Sequence, residues 1–295
     1  MKYNDLYGII SPLVTPFDQE GNINEHQFRK EINFLINAGV HGLSPGGSTG
    51  EGAALKTEEI SKLVSITKEE NKNNIPIVTG IIRNSTADAI DAGLAAKKAG
   101  ANVLMVTPTC YTVLTPDDEG NYAFYKSISD EVDLPIIIYN VVPQNEISTQ
   151  LFLKLLEIKN VIGIKQSVGG IQAMYDKVIY SNGKANIYAA TDDMLYSCFD
   201  LGACGAIAAI LTVFPAESVM IWNCVKNGDI KTAKEIQNMI YPVWQVIAGP
   251  QFPRRVKEAL RLLGREVGLP RSPILSVTPI ETEEIKKVLE SIKLT

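Results

Sequence analysis

Apolar positions along the chain follow two alternating patterns. Short, continuously apolar and β-branched runs at 8–15, 42–45, 75–81, 103–107, 135–140, 161–166, 186–190 and 205–210 read as strands. Between them lie longer stretches, such as 25–37, 57–71, 85–98, 119–130 and 149–158, whose apolar residues recur with helical period. Strands with no polar alternation suit a sheet covered on both faces, and their alternation with helices predicts parallel strands joined by crossovers. Eight such units close into a (β/α)8 TIM barrel, which removes both sheet edges; an open doubly wound sheet is the alternative. Cap residues support the helices: Thr57 ahead of two glutamates, Ser148 ahead of a periodic run, Gly39 and Gly100 after helix ends. Past residue 210 the strands stop. The stretch 214–227 completes the eighth unit, and 229–246, 252–263 and 281–292 read as three more helices, separated by Gly249-Pro250 and the proline-rich 269–279. The expected organisation is a barrel over 1–227 with a C-terminal helical appendage over 228–295, packed together as one structural domain.

Composition narrows the function classes. With 295 residues, 45% hydrophobic and 21% charged, the chain is within the range of a single α/β barrel. The net charge of −5 comes from dispersed charges, which leaves no basic face for nucleic acid. The segment Met1-Lys2-Tyr3-Asn4-Asp5 is not the apolar run of a signal peptide, and no stretch reaches the ~18 apolar residues of a membrane span. A cytoplasmic location is expected. Cys110, Cys198, Cys204 and Cys224 show no CxxC spacing, and His26 and His41 are grouped neither with them nor with each other, so no metal site is expected.

In a barrel, catalytic groups stand at the C-terminal strand ends. Val161-Ile162-Gly163-Ile164-Lys165 is an apolar strand ending in a lysine. Burial there favours the neutral amine, which can attack a ketone; the bland alternative is a side chain that snorkels to solvent. Tyr139 ends the preceding strand, where a phenol can exchange protons with the amine adduct or serve as a rim aromatic. Pro45-Gly46-Gly47-Ser48-Thr49-Gly50-Glu51-Gly52 is a glycine-rich turn whose backbone N–H groups can hold an anion. It has neither Walker nor dinucleotide spacing, so a small carboxylate fits it better than a nucleotide. Lysine, tyrosine and anion turn together describe a site for a 2-oxo acid.

These residues resemble the N-acetylneuraminate lyase and dihydrodipicolinate synthase superfamily. The motifs are Gly47-Ser48-Thr49-Gly50-Glu51, Tyr139-Asn140 and Gly163-Ile164-Lys165, with Thr15-Pro16-Phe17, Val106-Thr107-Pro108 and Val256-Lys257-Glu258-Ala259-Leu260 beside them. The resemblance implies a class I mechanism without cofactor, in which Lys165 forms an imine with pyruvate, Tyr139 moves protons and Ser48 relays to it. Gly47, Ser48 and Thr49 would hold the carboxylate, with Ile207 also against the substrate. An aromatic from the fourth loop, here Tyr111, would assist, often across a dimer interface in a homotetramer. Dihydrodipicolinate synthases carry an arginine after the tyrosine turn; this chain reads Val141-Val142-Pro143-Gln144-Asn145, so Gln144 and Asn145 are the candidates for the aldehyde partner, with Arg83 or Arg254 as substitute cations. Lys165-Gln166 and the pair Asp192-Asp193 look more like neuraminate lyase, where an acidic pair binds sugar hydroxyls, although two aspartates at a strand end also suit a helix cap.

The expected activity is a Schiff-base lyase or aldolase acting on pyruvate or a related 2-oxo acid, together with an aldehyde. The alternatives are 4-hydroxy-tetrahydrodipicolinate synthase and a 2-keto-3-deoxy sugar acid aldolase or dehydratase. A non-catalytic 2-oxo acid binding protein is the competing class, disfavoured because a binder gains nothing from a buried amine.

Overall fold

The apolar runs become eight parallel strands: β1 (Gly8–Pro12), β2 (Gly42–Ser44), β3 (Val78–Ile81), β4 (Val103–Val106), β5 (Ile136–Asn140), β6 (Val161–Gln166), β7 (Asn186–Ala189) and β8 (Gly205–Ala206). The structure, a computed structural model, describes residues 6–292; the opening pentapeptide and the last three residues of the appendage lie outside the described residues. Hydrogen bonding runs in the order β2-β1-β8-β7-β6-β5-β4-β3. The ends of that order meet through a parallel bridge between Leu43 and Ile77, and through N–H donation from Leu43 to Pro76 and from Gly80 to Pro45. The sheet is therefore a nearly closed TIM barrel rather than an open doubly wound sheet.

The helices are α1 (Glu25–Asn37), α2 (Thr57–Glu70), α3 (Thr86–Ala99), α4 (Asp118–Val132), α5 (Thr149–Leu155), α6 (Gly170–Ser181), α7 (Leu195–Asp200), α8 (Ile210–Val213) and α9 (Pro215–Lys226), followed by α10 (Ile230–Ile247), α11 (Phe252–Leu262) and α12 (Pro279–Ser291). Two apolar layers separate. Ile10, Val78, Met105, Ile137 and Tyr188 fill the barrel interior, while Leu104, Ile138 and Ile164 pack outward against helix residues such as Ile32, Leu63 and Phe152. Each such side chain contributes about 1.5–3 kcal/mol relative to exposure, so a polar group in these layers needs a reason. Among the described residues, no helix is long and apolar enough to cross a membrane.

Three local expectations need correcting. Strand β1 stops at Pro12 instead of residue 15, because Thr15 turns to other work: its hydroxyl donates to the Gly50 carbonyl (2.7 Å) and its own carbonyl accepts from Lys257 (2.7 Å). Strand β8 is only Gly205–Ala206, and Ile210 opens the short helix α8. The cap of α2 is Lys56, not Thr57; the Glu59 carboxylate accepts the Lys56 backbone N–H at 2.9 Å. Ser148 does cap α5, accepting from Leu151 N–H at 3.1 Å, and Gly100 closes α3 in the left-handed region at φ 110°. The appended helices pack on the barrel, α10 against α7 and α9, and α11 against the turn that follows β2.

Candidate active site

Tyr139 and Lys165 stand side by side in the β5–β6 ladder. Their alignment depends on an irregularity one step earlier: Ile136 pairs with Val161 but Ile137 pairs with Gly163, so β6 carries one extra residue. Val161 and Ile164 both pack in the outer layer, with Ile162 in the barrel interior. Strict alternation from Val161 would send residue 165 outward; the bulge turns Lys165 inward. Gly163 permits this, since a Cβ there would lie 2.0 Å from the Asn186 carbonyl oxygen of β7. Behind the pair, Asn140 donates to Gln166 Oε1 (3.0 Å) and Gln166 donates to the Val168 carbonyl (2.6 Å), which ties the two strand ends together.

Lys165 is 5% exposed. Its Nζ lies 3.7 Å from the centroid of the Tyr139 ring, well inside cation–π range, and has no hydrogen-bond or ion-pair partner among the described residues. The Tyr139 hydroxyl donates to Ser48 Oγ at 3.1 Å, linking the amine's neighbour to the glycine-rich turn. That turn needs its glycines: Gly46 has φ 75°, and a Cβ on Gly52 would lie 1.8 Å from the Gly46 carbonyl oxygen. The N–H groups of Gly50, Glu51 and Gly52 fold back onto Gly47 and Ser48 carbonyls, which leaves those of Ser48 and Thr49 unpaired among the described residues. Two adjacent free N–H groups suit a carboxylate.

Thr49, Tyr139, Lys165, Asp192 and Ile207 border one cavity of about 180 Å3, roofed by Trp244 and Phe252 from α10 and α11. Burial pushes the Asp192 carboxyl up to about 7, opposed by the Ile210 N–H it accepts and by the Lys165 charge. That N–H, at 2.7 Å, opens α8, so Asp192 caps a helix and lines the cavity at once. Asp193 is half-buried and lies off the cavity wall.

Other expected site residues are not brought in. Gln144 is exposed. Asn145 is buried in the loop scaffold, donating to Thr109 (3.2 Å) and accepting from Asn121 (2.8 Å). Tyr111 is 61% exposed at a loop tip. Neither substitute cation is free: the Arg83 guanidinium donates to the Leu55 and Ile82 carbonyls at 2.8 Å, and Arg254 holds Glu281 at 2.5 Å.

One pair escaped the sequence reading although both members stand in its motifs. Lys257 on α11 donates to Glu51 Oε1 at 2.6 Å and to the Thr15 and Leu269 carbonyls, with both charged side chains 3% exposed. Burial lowers Lys257 to about 8. Glu51, at φ 58°, also accepts the Arg271 backbone N–H. The appendage thus holds the Ser48-Thr49 turn by its end. The only signal was a lysine amid the apolar positions of α11.

A barrel with a buried, unpartnered lysine at the end of β6, a tyrosine beside it and a glycine-rich turn with two free N–H groups nearby is built for a Schiff-base-forming lyase or aldolase. A sequence profile described as the dihydrodipicolinate synthetase family matches residues 5–292, and the chain belongs to that family, whose members are class I lyases and aldolases. A 4-hydroxy-tetrahydrodipicolinate synthase of Archaeoglobus fulgidus is 31% identical over 289 residues, covering 97% of this chain and 98% of the relative. Among solved structures, a dihydrodipicolinate synthase from Acinetobacter baumannii complexed with pyruvate is 28% identical at a TM-score of 0.91, covering 96% and 98% of the two chains. CdNal from Clostridium difficile, in complex with mannosamine, is 27% identical at 0.89, covering 98% and 99%.

Proposed function

We propose that this enzyme joins pyruvate to an uncharged aldehyde, or cleaves the corresponding 4-hydroxy-2-oxo acid, through an imine on Lys165. The observation that carries the reading is the unpartnered Lys165 Nζ beside the Tyr139 ring. Nζ attacks C2 of pyruvate while the Ser48 and Thr49 N–H groups hold the carboxylate, and the carbinolamine loses water to give the iminium. Electron withdrawal into the iminium releases a C3 proton. The resulting enamine bonds through C3 to the aldehyde carbon, and the aldehyde oxygen takes a proton through Tyr139 and Ser48. Hydrolysis restores the water lost at the start and frees the amine. The iminium is the electron sink, so the reaction draws on no metal or organic cofactor.

Asn145 is spent in the loop scaffold, and Arg83 and Arg254 are spent on other partners. Among the residues that border the imine cavity Lys165 is the one cation, so a second carboxylate on the aldehyde finds no arginine there, and charge-assisted pairs are roughly twice as strong as neutral ones. The name of the Archaeoglobus relative favours a second reading, condensation with aspartate semialdehyde. Borohydride reduction in the presence of pyruvate, followed by peptide mass spectrometry, tests the imine: an unmodified Lys165 at saturating pyruvate refutes it. Steady-state kinetics with each aldehyde then separates the two readings, because a high kcat/KM for aspartate semialdehyde reinstates the synthase.

We further infer a cytoplasmic homotetramer on the family resemblance. The loop tip around Tyr111, with Val113 78% and Leu114 52% exposed, supplies apolar surface for a subunit contact that would carry Tyr111 to a neighbouring site.

A further inference from the structure

The roof over Lys165 is a corner between two helices. Helix α10 ends at Ile247 and α11 begins at Phe252, and the four residues between them enter the left-handed region twice, at Gly249 (φ 92°) and Gln251 (φ 59°). Trp244, Gly249 and Phe252 border the imine cavity, while Gln251, Phe252 and Pro253 border an adjoining chamber of about 390 Å3. One short segment therefore walls both spaces. The end of a helix leaves carbonyls without intrahelical partners, and here a side chain in the first turn of α11 takes them. Arg255 Nε donates to the Ile247 carbonyl at 3.2 Å, and its Nη2 donates to the Ala248 and Pro250 carbonyls at 2.5 and 2.6 Å. Its Nη1 lies 3.8 Å from Glu281 of α12, the carboxylate that Arg254 also holds. The corner closes tightly on this side chain: a Cβ on Gly249 would lie 3.4 Å from Nη2.

We propose that Arg255 is a positioning residue for the imine chemistry: it holds the corner closed over Lys165 and so keeps bulk water from the enamine until the acceptor arrives. The proposal rests on the imine reading above. A C3 proton passed to Tyr139 has different fates in a closed and an open site. With water excluded, it returns to C3 or goes to the acceptor oxygen. With water admitted, a solvent proton replaces it, and the enamine reverts to pyruvate without forming a new bond. Hydrogen bonds from a charged donor are each worth about tenfold or more in an equilibrium. Losing the three that Arg255 makes to the corner shifts it toward an open state by at least about that factor.

The test uses the whole enzyme with pyruvate alone, so it needs no knowledge of the acceptor. In deuterium oxide, proton NMR follows the loss of the pyruvate methyl signal, with Lys165→Arg as the blank. That rate is divided by the fraction of Lys165 trapped by borohydride at saturating pyruvate, which gives solvent exchange per imine. The expected result is a ratio about tenfold higher in Arg255→Met than in the wild type. Arg255→Lys keeps a cationic donor and stays near the wild-type ratio. Should the methionine variant fold poorly, Arg255→Gln keeps a single amide donor and raises the ratio in the same direction. Ile32→Val, in α1 and away from the corner, lowers the melting temperature and leaves the ratio unchanged. No borohydride adduct on the wild type overturns the imine and the role of Arg255 together. An adduct with an unchanged ratio in the folded Arg255 variants, or an equal rise in Ile32→Val, overturns the role of Arg255 and leaves the imine intact.

Discussion

At the scale of single residues, the site turns on what each side chain can do with a proton. Lys165→Arg places a permanently charged guanidinium where a free amine is required, so it forms no borohydride adduct and turns over no pyruvate. Intact-mass analysis checks the adduct. Tyr139→Phe keeps the ring beneath Nζ and removes only the hydroxyl that donates to Ser48. It retains pyruvate trapping and melting temperature but loses about 10²–10⁴-fold in kcat; a large drop in melting temperature with full activity in the folded fraction would make the residue structural. Asp192 brings a pH dependence. Its folded carboxyl titrates at about 7 against 3.8 when exposed, so the folded state binds the extra proton between those values. Its contribution to stability is full below about pH 4 and is lost as pH rises through about 7, with a slope of at most about 1.4 kcal/mol per pH unit. Asp192→Asn keeps an acceptor for the Ile210 N–H and flattens that slope, as chemical denaturation across pH 4–8 reads out.

At the scale of elements, the glycine turn and α11 act as one unit although 206 residues separate Glu51 from Lys257. Breaking one side of a buried, hydrogen-bonded pair leaves an uncompensated charge, which typically costs about 3–5 kcal/mol. Lys257→Met is therefore expected to lower the urea midpoint sharply and to raise KM for pyruvate, because the freed turn no longer presents Ser48 and Thr49 in register. Removing both charges with Glu51→Gln and Lys257→Met recovers much of the stability; if the double variant is as unstable as the single, the pair is not coupled as described. The elements themselves were legible as apolar runs and caps. Their ends were not. Strand β1 closes early and Ile210 starts a helix because Thr15 and Asp192 are recruited by residues distant in sequence, a competition that local propensity does not register.

At the scale of the molecule, the exposed Tyr111–Leu114 tip should be covered by another chain. Light scattering is expected to give the mass of four subunits, and Val113→Asp to shift it toward smaller species with reduced activity. A monomeric wild-type enzyme with full turnover would remove the need for a shared site. The alternation of apolar strands and amphipathic helices by itself determined eight parallel β/α units buried on both faces, and the closure between β2 and β3 through Leu43 and Ile77 decided for a barrel over an open sheet. The lysine, the tyrosine and the glycine turn were equally legible, because a strand-end lysine in an apolar run and consecutive glycines stand out against any background. Only the tertiary structure decided that Lys165 faces inward, through one extra residue in β6, and that Gln144 and Asn145 stand apart from it. It also decided that burial raises the Asp192 carboxyl to about 7 and that Glu51 belongs to Lys257. The reason is physical: side-chain direction in a sheet reverses with a single residue of register, and the partner of a buried charge is set by packing between segments far apart in the chain.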